Sequence, residues 1–135
     1  MITLTDVVRR VREIADAAPG SVYKPPRGGP VYLEMHNGRL CGSCGVGRAL
    51  VDLGVDPELI RSVDHLRHGY RASYLLAQLA DAGAVEKWCT SKPENIEIRL
   101  AEPRLLWLGV FQQQQDSGSP LGYAVLLADT EEPLT

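Results

Sequence analysis

The sequence predicts a mostly α-helical α+β domain, in which about five helices pack around one small β-hairpin. Two observations support this prediction. Apolar residues recur at intervals of three and four over several segments, which is the periodicity of amphipathic helices. One short alternating segment runs into Asn37-Gly38, a dipeptide typical of the tight turn in a β-hairpin. The 135 residues, 44% hydrophobic and 23% charged, suit one globular domain, placed at 1–130 with a frayed tail at 131–135.

The helical segments are recognised by their apolar faces and by the residues at their ends. Thr3 and Asp6 have the spacing of a capping box, and Gly54 and Gly83 stand where helices commonly end. Leu50, Leu105, Leu108 and Phe111 lie in the strongest apolar patterns and are expected to be inaccessible to solvent. The segment Leu105–Phe111 is apolar on all sides, which predicts a central helix that is buried all round. The helical patterns cover residues 6–18, 45–53, 71–82 and 103–115, with shorter ones from Asp56-Pro57 and from Ser119-Pro120.

The hairpin is expected to join Val31–Met35, which alternate like a strand, to Arg39–Cys41 as the returning strand. A type I′ turn requires positive φ at both central residues, and asparagine and glycine tolerate it. Two such short strands need helices packed against them for stability. A further strand is expected at Asn95–Leu100, where polar and apolar residues alternate.

Charge and hydropathy restrict the classes of function. The formal net charge is −3 and the isoelectric point is about 5.6, which argue against a dedicated nucleic-acid binder. The apolar run Leu105–Phe111 is too short to cross a bilayer, and the first residues lack a signal-peptide pattern. We therefore expect a cytoplasmic protein without a membrane partner, whose three cysteines stay reduced.

Cys41 and Cys44 form a Cys-x-x-Cys pair before a predicted helix, and three interpretations remain open. A helix N-terminus lowers a thiol pKa, which suits dithiol chemistry. The spacing also suits a structural zinc site, with His36 and Cys89 as the further ligands, and His65 or His68 as substitutes for Cys89. The simplest interpretation is that Cys44 packs as a small apolar residue, with neighbouring glycines allowing close backbone contact. We favour this one, with no metal or cofactor.

Three polar segments are candidates for binding. The loop that contains Tyr23, Lys24 and Arg27 is expected to be exposed and to contact a protein partner. The basic stretch Arg61–Arg71 would make weak phosphate contacts, although a solvated surface explains it more simply. The glutamines Gln112–Gln115 would form a recognition surface or, more simply, bond nearby backbone. The spacing of polar residues reveals no group of catalytic side chains, so the sequence favours a non-enzymatic binding or regulatory module. The sequence is also compatible with a homo-oligomer.

Two motifs of this chain are similar to motifs of a known group of proteins. Cys44-Gly45-Val46-Gly47-Arg48-Ala49-Leu50 fits Cys-x-x-Gly-x-Ala-Leu, and Gln115-Asp116-Ser117-Gly118 precedes a helix that contains Ala124-Val125. Together they resemble a group of small proteins from actinobacteria and their phages. The chain departs from that group's pattern in having Leu121 where a tryptophan is common. The resemblance implies a helical fold with a small hairpin and a phage origin, but it implies no activity.

Overall fold

The computed structural model describes residues 1–24, 32–64, 72–88 and 101–134. These residues form six helices and one two-stranded sheet, which confirms the mostly α-helical α+β fold. The expected strand at Asn95–Leu100 lies outside the described residues. The helices are α1 (Leu4–Ala17), α2 (Gly45–Asp52), α3 (Pro57–Asp64), α4 (Ala72–Asp81), α5 (Pro103–Asp116) and α6 (Leu121–Glu131), and the strands are β1 (Leu33–His36) and β2 (Arg39–Gly42).

Helix α1 has the predicted capping box. The Thr3 hydroxyl accepts the Asp6 N–H at 3.0 Å, and the Asp6 carboxylate accepts the Thr3 N–H at 2.9 Å. Because these reciprocal bonds satisfy two donors that have no partner within the helix, α1 begins at Leu4. The helix buries an apolar face and leaves its charged side chains toward solvent.

The hairpin turns at Asn37 and Gly38, as predicted, with φ values of 52° and 76°. Its strands pair antiparallel, from Leu33 opposite Gly42 to His36 opposite Arg39. The first strand begins at Leu33. Within the described ranges this sheet has two strands, so the hairpin depends on helical neighbours, and it contacts α2 and α3.

The junction between the hairpin and α2 requires glycine. A Cβ atom added to Gly47 would lie 1.9 Å from the Tyr32 carbonyl oxygen, and one added to Gly42 would lie 2.5 Å from the Arg48 Cα. Both distances are far inside van der Waals contact, so the two backbones touch directly. The predicted close approach of backbones around the Cys44 motif is confirmed.

Helix α5 forms the centre of the fold, where it contacts α1, α2, α4 and α6. Leu50, Leu105, Leu108 and Phe111 are fully inaccessible, as predicted. The expectation that the middle of α5 is buried on all sides was wrong, because Leu106 is 40% exposed. The buried face instead includes two glutamines further along the same helix, since those polar side chains find hydrogen-bond partners inside the protein.

Candidate functional site

Cys44 is the N-cap residue of α2, and its sulfur is part of the interior. Its Sγ accepts the Gly47 N–H at 3.3 Å, and the residue is only 1% exposed. Burial disfavours the thiolate and raises the pKa of Cys44 to about 12. Burial therefore raises the pKa of the Cys44 thiol by more than the helix N-terminus lowers it. Cys44 packs as a small apolar residue, which is the simplest of the three interpretations given above.

Of the other proposed zinc ligands the structure describes Cys41 and His36, and it does not bring these two together with Cys44 into a metal-binding group. Cys41 lies half-buried on β2, with its Sγ 3.4 Å from the Glu34 carbonyl oxygen, and His36 is exposed at the end of β1. Among the residues with described positions, no three His, Cys, Asp or Glu side chains gather closely enough to hold a metal ion. Cys89, His65 and His68 lie outside those residues.

The structure describes Tyr23 and Lys24, the first two candidate residues of the predicted partner-binding loop. The Tyr23 hydroxyl lies 3.0 Å from the Ser43 hydroxyl, and its ring packs against the core. Lys24 is exposed, whereas Arg27 lies outside the described residues. Tyr23 therefore fixes one end of this loop to the residue before Cys44, and Lys24 remains accessible for contact.

The basic stretch Arg61–Arg71 is described only up to Asp64. Arg61 is exposed and forms an ion pair with Glu58 at 3.7 Å, one turn earlier on α3. An exposed pair of this kind is typical of a solvated helix face. Residues 65–71, which include both candidate histidines, lie outside the described part of the chain.

Two glutamines of α5 bond the N-terminal backbone of other helices. Gln115 Oε1 accepts the Gly45 N–H at the start of α2 at 2.6 Å. Gln112 Oε1 accepts the Ala72 N–H at the start of α4 at 2.8 Å, and also the Tyr32 hydroxyl at 3.2 Å. The prediction that these glutamines bond backbone is confirmed, and each of the two caps a helix that precedes it in the chain.

A second polar cluster links three helices, and the sequence analysis did not identify it. The Arg12 guanidinium of α1 pairs with both carboxylate oxygens of Asp129 on α6, and it stacks 4.9 Å from the centre of the Trp107 ring. Trp107 Nε1 donates to the same carboxylate at 2.9 Å. These bonds, chiefly that from Arg12, lower the pKa of Asp129. The cluster ties α1, α5 and α6 together.

Helix α6 presents apolar side chains to solvent. Its first eight residues, Leu121–Ala128, are all apolar or glycine, but only Leu121, Ala124 and Ala128 are buried. Tyr123 is 49% exposed and Leu126 is 61% exposed. Residues three apart share one face of a helix, so these two side chains form a common outward surface, which we call the α6 face.

A groove of about 590 Å³ lies over α5 and is bordered by α4 and by the residue that follows α6. Leu106, Gly109, Val110 and Gln113 line it along α5, and Ala72 and Ser73 line it at the start of α4. Asp116 and Glu132 contribute carboxylates. We call this the α5 groove. Its described lining contains no lysine or arginine.

A second groove, of about 600 Å³, lies between α1, the start of α5 and the residues after α6. Three arginines line it, but each has a carboxylate partner: Arg9 pairs with Asp6, Arg12 with Asp129, and Arg104 with Glu102 and Glu86. The positive charges are therefore already neutralised, which disfavours this groove as an anion site.

Comparison with known protein families, with curated proteins and with solved structures finds no significant match for this chain. Across the described ranges, each helix is too short or too polar to cross a membrane. The surface features of this fold are therefore the guide to its function.

Proposed function

We propose that this chain is a non-enzymatic binding module that acts in the cytoplasm through protein–protein contact, with the α6 face as its contact surface. The observation that carries the proposal is the exposure of Tyr123 and Leu126 on a helix whose first eight residues are apolar on every side. A helix of that composition is normally buried on every side, and exposed apolar surface of this kind is typical of interaction sites.

The charges at the end of α6 indicate the chemistry of the partner. Asp129 and Glu131 lie in or at the last turn, Glu132 follows it, and no basic residue lies in that turn. The C-terminal end of a helix already carries partial negative charge, so cations are favoured there. We infer a partner that places apolar side chains on Tyr123 and Leu126 and a lysine or arginine near Glu131.

The size of the α6 face supports a transient contact. Fully burying a leucine side chain contributes about 1.5–3 kcal/mol, and a tyrosine contributes a comparable amount. Stable complexes commonly bury about 800 Å² on each partner, which is much more than two side chains supply. The resemblance to proteins of actinobacteria and their phages supports an origin in that group, and with it a regulatory partner in the same cell.

Site-specific photo-crosslinking in living cells tests this proposal. Leu126 is replaced by a photoreactive phenylalanine analogue, and Met35, which is 62% exposed on the hairpin, serves as the matched control. We expect irradiation to give a discrete protein adduct from position 126 and none from position 35. The additional substitution Tyr123→Asp is expected to remove the adduct from position 126.

Two results would contradict the proposal. One is an equal pattern of adducts from positions 126 and 35, which would indicate random collisions. The other is the absence of any adduct at position 126 in cells that contain the folded protein. An adduct with the mass of two copies of this chain would identify the α6 face as a self-association surface, and sedimentation of the purified protein would confirm it.

A further inference from the structure

We propose that the α5 groove binds an amphipathic helix of a partner protein that carries basic residues near both ends. This inference rests on the proposed function as a protein-binding module, but it concerns a different surface from the α6 face. It is based on a glycine that packing among the described residues does not require and on the placement of two carboxylates along an apolar floor.

Gly109 lies in the middle of α5, a helix of 14 residues. Glycine in a helix interior costs about 1 kcal/mol relative to alanine. A Cβ atom added at this position would meet no atom of the described residues within 4 Å, in contrast to Gly42, Gly45 and Gly47, where it would clash. Packing within the described fold therefore does not account for Gly109. A glycine on the floor of a groove instead allows the backbone of a bound helix to approach closely.

The side chains around Gly109 make the floor apolar. Leu106 is 40% exposed and Val110 is half-buried, and both line the groove on the same helix. Apolar anchors on one face of an amphipathic helix commonly occupy such a groove at intervals of three and four residues. Leu106 and Val110 are themselves four residues apart, so they can contact successive turns of the bound helix.

The two carboxylates stand at opposite ends of this floor. Helices α5 and α6 run antiparallel, because Ser119 bonds Gln114 near the end of α5 and Asp129 bonds Trp107 near its beginning. Glu132 therefore lies near the start of α5, and Asp116 is the last residue of α5. Ten residues separate Leu106 from Asp116, which is about 15 Å along the helix axis.

The positions of the two carboxylates indicate where a helix bound in the α5 groove would carry its basic residues. A bound helix of about ten residues covers the same 15 Å and would bring one basic residue to Glu132 and another to Asp116. Burial raises the pKa of Asp116, and a neighbouring cation would favour its carboxylate form. The net charge of −3 also increases the rate of encounter with a basic partner.

A displayed library of random 14-residue peptides is the probe for this proposal. Selection on the purified protein is expected to enrich peptides with leucine, isoleucine or methionine at helical spacing and with lysine or arginine near both ends. The same selection on Gly109→Leu is expected to lose them, because the new side chain fills the groove. Gly109→Ala and Gly109→Leu should both fold with a melting temperature equal to or above that of the unaltered protein.

Titration of one enriched peptide against point variants tests the charges. Asp116→Asn and Glu132→Gln should each weaken binding roughly threefold at low ionic strength, and the differences should disappear at about 0.5 M salt. Gly109→Leu should weaken binding at least tenfold. Asp16→Asn, which removes an exposed carboxylate of α1 that does not line the groove, is the control and should leave binding unchanged.

Several outcomes would overturn the proposal. These are enrichment of acidic peptides, binding that persists in Gly109→Leu, no enrichment at all, and a lower melting temperature in Gly109→Ala, which would give the glycine a structural role. Peptides that are insensitive to Gly109→Leu but are lost with Leu126→Asp would refute the α5 groove and support the α6 face. A dimer of the unaltered protein that Gly109→Leu converts to a monomer would identify a second copy as the occupant.

Discussion

Gln115→Ala is expected to destabilise the fold strongly although it removes one uncharged side chain from the end of a helix. Gln115 is 1% exposed, and its Oε1 is the acceptor for the Gly45 N–H at 2.6 Å. Alanine leaves this buried donor without its partner, which costs about 1–3 kcal/mol. It also removes the Nε2 donor that bonds Asp116 at 3.0 Å, which costs roughly 1 kcal/mol more.

The expected total is therefore about 2–4 kcal/mol in the free energy of unfolding, since both effects have the same sign. For a domain of this size that loss corresponds to a melting temperature lower by roughly 10 °C. Urea titration followed by circular dichroism measures the free energy directly. Gln113→Ala is the matched control, because Gln113 is exposed on the same turn of α5, and it should change stability by less than about 0.5 kcal/mol.

The substitution Gln115→Glu separates the two effects. Glutamate retains an acceptor for Gly45, but at neutral pH it places a second carboxylate beside Asp116. We expect it to be destabilising at pH 7 and to recover stability relative to the unaltered protein as the pH falls and the carboxyl group is protonated. If Gln115→Ala and Gln113→Ala unfold at the same urea concentration, Gln115 does not stabilise the start of α2.

Three further predictions test other parts of the structure. Gly38→Val should lower the free energy of unfolding by about 1–2 kcal/mol, because a residue with a Cβ atom is strained at the φ of 76° that Gly38 adopts. An unchanged midpoint of urea unfolding would contradict the assigned turn. With its pKa raised to about 12, Cys44 should be about one part in ten thousand thiolate at pH 8 and should resist a thiol reagent until the protein unfolds; mass mapping that finds Cys44 modified in the folded state would refute its burial. The pKa of Asp129 is lowered below its ordinary 3.8, so its stabilisation is present above that value and is lost as pH falls through the folded pKa. The stability difference between the unaltered protein and Asp129→Asn should therefore shrink from pH 7 to pH 2.5, and a constant difference would contradict the ion pair.

Local signals in the sequence predicted the helices and the hairpin that the structure describes. The capping box of Thr3 and Asp6 and the turn at Asn37 and Gly38 depend on residues within a few positions of each other, so their geometry can be read from adjacent sequence. The buried leucines of α5 follow from apolar periodicity. Cys44 was correctly expected to be buried, because a lone Cys-x-x-Cys pair without further spaced ligands is explained by packing.

The contacts that hold the helices together could not be predicted in this way. Arg12 and Asp129 are 117 residues apart in sequence, and nothing in either segment indicates its partner. The orientation of α5 was also misjudged, because an apolar run does not reveal which face is covered. The structure exposes Leu106 and buries Gln115, since Gln115 finds a hydrogen-bond partner on α2. The α6 face was missed for the same reason.

The glutamine caps have a consequence for how this chain folds during synthesis. Gln115 follows Gly45 by 70 residues, and Gln112 follows Ala72 by 40. At about 5–20 residues per second, Gln115 is therefore synthesised roughly 4–14 s after Gly45. During that interval α2, with only 8 residues, lacks the side chain that completes its N-terminus, and short helices are unstable without tertiary contacts. A nascent chain that ends before α5 should therefore remain sensitive to protease at the ribosome, and it should become resistant only when α5 has emerged.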